Sequence, residues 1–101
     1  MDATPGKSVT VSALDGKTVF GSVQFTTAQH RGLRANGTLK GVPPGFPLLV
    51  VPTTVGNESV LCYPNSDGSN LCDGALIGAP LIGAPALLGL NGAPAGKGAI
   101  Q

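Results

Sequence analysis

Residues 8–25, SVTVSALDGKTVFGSVQF, carry the clearest secondary-structure signal in this chain. The first half alternates polar and apolar residues, which is typical of a half-buried β-strand. Asp15-Gly16 then supplies a tight turn, because both residues tolerate positive φ. In the returning strand Phe20 points away from the core unless Gly21 marks a β-bulge. The core face of that strand is expected to hold Val19, Val23 and Phe25.

More short strands are predicted further along the chain. Residues 33–40 form one candidate, although Asn36-Gly37 within it could make a turn instead. Residues 48–51, LLVV, are apolar without alternation, which favours a strand buried on both faces. Residues 60–63 form a further short strand, and no helix is predicted before residue 73. The first three-quarters of the chain therefore predict an all-β fold.

The last quarter of the chain has a different character. Residues 74–96 contain no charged residue, and Gly-Ala-Pro occurs three times between residues 78 and 94. The repeated prolines argue against a membrane-spanning helix, since each removes a backbone donor and clashes with the preceding turn. We therefore expect a β-domain at residues 1–73. Residues 74–101 are expected to be an irregular apolar Gly/Ala/Pro-rich tail, packed on that domain or on a neighbouring chain.

The charge pattern excludes one class of partner. Six Lys and Arg residues stand against five Asp and Glu, a net charge of +1, and only 4% of the residues are aromatic. The only positive cluster, Arg31, Arg34 and Lys40, has no aromatic residue interleaved with it for stacking on bases. Nucleic-acid binding is therefore not predicted.

Three features favour a secreted, extracellular protein. Asn36-Gly37-Thr38 and Asn57-Glu58-Ser59 are both N-glycosylation acceptor sequences, with Asn36 and Asn57 as the acceptors. Two cysteines ten positions apart suit a disulfide in an oxidising compartment. The chain also begins MDATP without an apolar leader, and we expect that a signal peptide was removed.

The cysteine pair is best explained as a disulfide. A structural zinc site needs four ligands, and this chain offers Cys62, Cys72 and one histidine. A bond that closes a loop of this size would stabilise the fold by roughly 2–3 kcal/mol. The only histidine, His30, lies in a polar turn and is interpreted as a surface residue. No catalytic residue, metal ligand or cofactor is predicted.

Residues 8–46 resemble the first strands of the copper-zinc superoxide dismutase β-sandwich. The matching elements are SVTVSALDGKTVFGSVQF and ANGTLKGVPPGF; in that family a strand hairpin is followed by a Gly-x-(Leu/Ile)-Lys-Gly strand and a turn ending in Gly-Phe. The resemblance implies a small Greek-key sandwich or barrel. The family continues with two copper-binding histidines, where this chain has Pro47 and Leu49. The resemblance thus implies the fold without the dismutase site.

Two functions from different classes remain open. The first is a non-catalytic secreted structural or interaction protein that self-associates, or acts at an interface, through its apolar tail. Its partners would be identical chains or another protein, with a membrane or other apolar interface left open. The alternative is a binding module of the protease-inhibitor or effector type that presents the disulfide-closed loop 62–72, although the disulfide could also be only a staple. The candidate contact residues of that loop are Tyr63, Asn65, Asp67, Asn70 and Leu71.

Overall fold

The computed structural model describes residues 7–27 and 32–101, which form eight β-strands. Within these two ranges there is no helix. The strands are β1 (Lys7–Ala13), β2 (Val19–Thr27), β3 (Leu33–Leu39), β4 (Pro47–Thr53), β5 (Gly56–Pro64), β6 (Asn70–Leu76), β7 (Pro85–Leu90) and β8 (Ala93–Ala99).

The eight strands form one closed antiparallel barrel in the order β1-β2-β3-β6-β5-β4-β7-β8. Strands β4, β5 and β6 follow one another as hairpins and are inserted between β3 and β7. Two longer connections, residues 40–46 and 77–84, carry the chain past them. Three consecutive hairpin strands flanked by such a return form a Greek key. The predicted all-β class is confirmed, and of the two predicted forms, a Greek-key sandwich or barrel, the structure has the barrel.

The first hairpin forms as predicted and contains the bulge. Gly16 in the turn has a φ of 74°, and Asp15 Oδ1 accepts a hydrogen bond of 2.9 Å from the Lys17 amide. Val11 pairs with Gly21 but Ser12 pairs with Val19, so Phe20 is the extra residue. The bulge turns Phe20 into the core, where it is 6% exposed, and leaves Val19 62% exposed. Val19 therefore does not share the core face with Val23 and Phe25.

The C-terminal segment corrects the expectation of an irregular tail. Strand β6 runs through residue 73 without a break, and β7 and β8 supply the last two strands of the barrel. Proline is compatible with these strands because Pro85 is the first residue of β7, and Pro94 lies beside the bulge between Leu88 and Gly89. Residues 74–101 thus belong to the same folded unit as the strands before them.

The barrel interior is filled mainly by aliphatic side chains. Alternate residues of each strand point inwards, as the burial pattern of β4 shows from Pro47 to Thr53. The Asn36-Gly37 pair lies in the middle of β3 and makes no turn, because Gly37 is paired with Val23 on one side and Cys72 on the other. The buried apolar core consists of Val9, Val11, Phe20, Val23, Phe25, Ala35, Leu39, Leu49, Val51, Val60, Cys62, Cys72, Leu76, Ala86, Leu88 and Ile100.

We expect Gly37→Ala to lower the free energy of unfolding by about 1–3 kcal/mol, the usual cost of overpacking. A Cβ at Gly37 would collide with the Ser22 carbonyl oxygen and lie 2.7 Å from Val23 Cα. Gly89→Ala is the matched control, because the nearest atom to a Cβ there is 3.7 Å away. Urea unfolding followed by circular dichroism measures both. Equal stability of the two variants would contradict the close approach of β2 to β3.

Candidate functional site

The disulfide is a buried staple between two neighbouring strands. Cys62 in β5 and Cys72 in β6 are directly opposite each other, and their Cα atoms are 3.9 Å apart. Both side chains point into the barrel, where Cys62 is 7% and Cys72 0% exposed. The predicted pairing is confirmed. Because the sulfur atoms belong to the core, the bond itself presents nothing to a partner.

The turn beyond the disulfide is held by its own hydrogen bonds. The Asn65 amide donates to the Ser69 carbonyl at 2.8 Å, and the Gly68 amide donates to the Asn65 carbonyl at 3.1 Å. Asp67 Oδ1 accepts bonds from the Ser69 hydroxyl at 2.6 Å and the Ser69 amide at 2.9 Å. These bonds, that of the hydroxyl first, hold the pKa of Asp67 below its ordinary value. The turn is therefore held in shape by the protein's own groups.

The five candidate contact residues of this loop do not share one surface. Tyr63 is 51% exposed, and Asn65 and Asp67 are exposed at the turn. Asn70 is only 8% exposed and so offers no contact surface, and Leu71 is half-buried. Tyr63 pairs with Leu71 on the outer side of β5 and β6. Tyr63 thus belongs to the outer wall of the barrel, and the polar residues belong to its end.

An apolar surface covers the outer wall of β5, β4 and β7. Register places Leu61 beside Leu48, and Val50 beside Leu87, with all four side chains pointing away from the core. Residues 48–51 were expected to be buried on both faces. Leu48 and Val50 are instead only partly buried, because no strand within residues 7–27 and 32–101 packs over them. The residues of this surface, hereafter the apolar face, are Phe46, Leu48, Val50, Leu61, Tyr63 and Leu87.

A groove of about 320 Å³ lies at one side of the apolar face. It is open because Gly89, which pairs with Leu48 on one side and Pro94 on the other, has no side chain to fill the space. Leu48, Val50 and Leu87 form its wall. Sequence reasoning missed both the groove and the apolar face. The only hint was the unbroken apolar run at residues 48–51.

Both glycosylation acceptors have exposed side chains. Asn57 lies on β5, on the same outer side as Leu61. Asn36 lies on β3 opposite Asp73. Asp73 in turn accepts two hydrogen bonds from Arg34, from Nε at 2.7 Å and from the terminal nitrogen at 2.6 Å. The Arg34 bonds hold the pKa of Asp73 below its ordinary value. This ion pair is a contact between β3 and β6 next to Asn36.

Glu58 holds the second crossover against the β4–β5 hairpin. Its carboxylate accepts hydrogen bonds from the Ile77 amide at 2.7 Å, and from the Gly78 amide and Thr53 hydroxyl, both at 2.8 Å. Burial raises the pKa of Glu58, but these hydrogen bonds outweigh it and leave the pKa below its ordinary value. All three hydrogen-bond donors belong to this chain, and two of them lie at the start of the crossover. The carboxylate therefore anchors residues 77–84.

Among the residues that the structure describes, those considered for metal chemistry contribute no site. Pro47 and Leu49, at the positions of the two copper ligands in the dismutase family, are both buried on the inner side of β4. In residues 7–27 and 32–101 no group of three or more His, Cys, Asp or Glu side chains could hold a metal ion. His30 lies outside the described residues. Across those same two ranges no helix is long and apolar enough to cross a bilayer.

We expect Glu58→Gln to lower the free energy of unfolding by about 1–2 kcal/mol at neutral pH, since charge-assisted hydrogen bonds are replaced by weaker ones at a partly exposed site. A carboxyl whose pKa is depressed by folding stabilises the protein above its unfolded pKa and loses that effect as pH falls through the folded pKa. The difference between wild type and variant should therefore shrink in acid. Urea unfolding from about pH 7 to about pH 2 tests this, with Gln24→Ala, at an exposed residue of β2, as the control. A difference that is constant with pH would contradict the anchoring role of the charge.

We expect purified protein to hold no stoichiometric copper or zinc and to show no dismutase activity. The physical reason is that neither Pro47 nor Leu49 carries a side-chain atom that binds a metal, and both side chains face the core. Elemental analysis after dialysis against a weak chelator measures this. One retained metal ion per chain would contradict the expectation.

Comparisons of the chain with known proteins found no relative. No family model, curated protein or solved structure matches it. Function has to be argued from the surface of the barrel, where two features stand out. These are the apolar face with its groove and the ordered turn at residues 65–69.

Proposed function

We propose that the protein is a non-catalytic secreted interaction protein that binds a protein partner through the apolar face. The observation that carries this proposal is the exposure of large apolar side chains on one wall of the barrel. Phe46 is 84%, Leu61 54% and Leu87 44% exposed. Contiguous exposed apolar surface of this kind marks interaction sites in soluble proteins, because it costs free energy to leave in water.

The closed barrel restricts how a partner can bind. A sheet with free edges can accept an extra strand from another chain. Every strand of the closed ring has a hydrogen-bonded neighbour on both sides, since β8 is paired with both β7 and β1. Most backbone groups at the strand edges are therefore already used, and we expect a partner to pack mainly on side chains. Burial of the apolar face would gain roughly 25 cal/mol for each Å² removed from water.

The polar groups of the described residues support a non-catalytic role. Glu58, Asp67 and Asp73 all have lowered pKa values, and hydrogen bonds from the protein's own groups are the cause in each case. A general acid or base that works near neutral pH would need its pKa moved in the opposite direction. These carboxylates stabilise turns, a crossover and a strand pair.

Secretion and glycosylation form part of the same proposal. A buried disulfide between Cys62 and Cys72 is favoured in an oxidising compartment. Asn36 and Asn57 both point outwards, so a glycan on either one would extend into solvent without disturbing the core. Asn57 lies on the same strand as Leu61 and would place its glycan at the border of the apolar face.

A second candidate function is a binding module that uses the turn at residues 65–69. The observation in its favour is the hydrogen-bond network around Asp67 and Ser69, because a preordered loop loses less entropy when it docks. This candidate would bind a partner at the end of the barrel, whereas the first would bind it on the outer wall. A probe placed at one site or the other can therefore distinguish them.

A photo-crosslinking benzophenone amino acid in place of Leu61 should capture a protein partner in the medium of cells that secrete the chain. Crosslinking from position 61 is expected because Leu61 belongs to the apolar face and is 54% exposed. The same amino acid in place of Val19, which is 62% exposed on β2, is the control and should capture little. Crosslinks are read by gel shift and mass spectrometry.

The same probe in place of Ser66 distinguishes the second candidate. Crosslinks from position 66 but not from position 61 would indicate that the partner binds the turn at residues 65–69, and would contradict binding through the apolar face. Equal yields at positions 61, 66 and 19 would mean that contacts are random, and would contradict both candidates.

A further inference from the structure

We propose that the partner of the apolar face is a second copy of this chain, packed face to face about a twofold axis that runs along β4. This inference rests on the proposed function and names its partner. The twofold axis would place each large side chain of one face over a small residue of the other face. The two faces would therefore be complementary in shape.

One cross-strand row shows this pattern. Leu61 in β5 pairs with Leu48 in β4, Leu48 pairs with Gly89 in β7, and Gly89 pairs with Pro94 in β8. A large side chain thus lies on one side of Leu48, and the groove lies on the other side at the same height. Rotation by 180° about an axis along β4 exchanges the two sides. It brings Leu61 of each copy over Gly89 of the other.

The next row shows the same pattern in reverse. Ser59 in β5 pairs with Val50 in β4, and Val50 pairs with Leu87 in β7. Here the small residue lies on the β5 side and the large residue on the β7 side. The same rotation brings Leu87 of each copy over Ser59 of the other. Both rows are therefore complementary under one symmetry operation, as an isologous interface requires.

The charge distribution fits a second copy. Strands β4 and β7 contain no charged residue, so two copies can approach without bringing like charges together. Lys97 is exposed beside Leu87 at the rim, where its long side chain can keep the ammonium group in water. Interfaces between identical chains are more apolar than other interfaces, which this surface matches.

The size of the face sets the strength of the contact. The three strands of the apolar face span roughly 14 Å, and the five residues from Phe46 to Val50 span roughly 17 Å, so each copy contributes about 240 Å². The total of about 500 Å² is far below that of stable complexes and falls at the low end of weak, transient ones. The monomer keeps a complete core, so we expect reversible dimers at high protein concentration.

Variants that change the size of the facing residues test the proposal. Leu61→Ala removes the projecting side chain, and Gly89→Leu fills the groove without removing any apolar group. Gly89 tolerates a side chain, because a Cβ there would be 3.7 Å from the Leu48 carbonyl oxygen and 3.8 Å from that of Ala93. Leu14→Ala, at a residue that is 48% exposed in the β1–β2 turn, is the matched control.

Analytical ultracentrifugation from about 10 µM to about 1 mM measures the dimer dissociation constant. Each single variant should raise it by roughly ten-fold or more, since the symmetry repeats every change at two contacts. The double variant Leu61→Ala with Gly89→Leu should restore it to within about three-fold of the wild type. In the double variant, the leucine at position 89 of one copy faces the alanine at position 61 of the other. A double-mutant cycle detects this compensation as a coupling energy between the two positions. Leu14→Ala should leave it unchanged.

Three results would overturn the proposal. In the first, the wild type stays monomeric up to about 1 mM. In the second, dimers form that Leu61→Ala and Gly89→Leu do not weaken, which would place the contact elsewhere. In the third, Gly89→Leu strengthens association and the double variant restores nothing, which would indicate unspecific apolar adhesion. A monomeric wild type that still crosslinks from position 61 to a different protein would remove the second copy as partner and leave the proposed function standing.

Discussion

The hydrogen bonds that join β8 to β1 close the sheet into a barrel, and the rest of the molecule depends on that closure. Ser8 and Gln101 exchange backbone hydrogen bonds of 3.1 and 2.9 Å, and Ser12 pairs with Lys97. The approach is so close that a Cβ at Gly98 would collide with the Thr10 carbonyl oxygen. Closure satisfies the backbone groups that an open sheet would expose at its edges. It therefore leaves fewer backbone groups for pairing with another chain than an open sheet would.

Closure also explains how a chain with few aromatic residues builds a core. The interior holds Phe20 and Phe25 together with aliphatic residues from β1 to β7 and Ile100, which follows β8, and the Cys62–Cys72 bond occupies one position of that interior. Small residues let neighbouring strands approach closely at several points. The crossover at residues 77–84 is tied down by the carboxylate of Glu58. The carboxylates with lowered pKa values thus form hydrogen bonds within the protein. The side chains of the apolar face, in contrast, point away from the core.

The outer wall of β5, β4 and β7 departs from the usual pattern of antiparallel sheets that have one face in water. Such strands alternate apolar and polar residues, whereas β4 is apolar on both sides. Leu48 and Val50 contribute nothing to the barrel interior, and leaving them exposed opposes solubility. Their presence is explained if the wall is covered in the working state of the protein.

The sequence by itself determined the β-hairpin at residues 8–25, the all-β class and the pairing of Cys62 with Cys72, because these depend on residues close together in the chain. Local pattern also raised the bulge at Gly21 as one alternative. It failed for residues 74–101, where closely spaced Gly and Pro predict irregular structure, and β7 and β8 form because β4 and β1 offer them partners. It also failed for Leu48 and Val50, since an apolar residue in a strand does not reveal whether anything packs over it. Only the tertiary structure decided which apolar residues face water, because burial depends on strands that are distant in sequence and adjacent in the barrel.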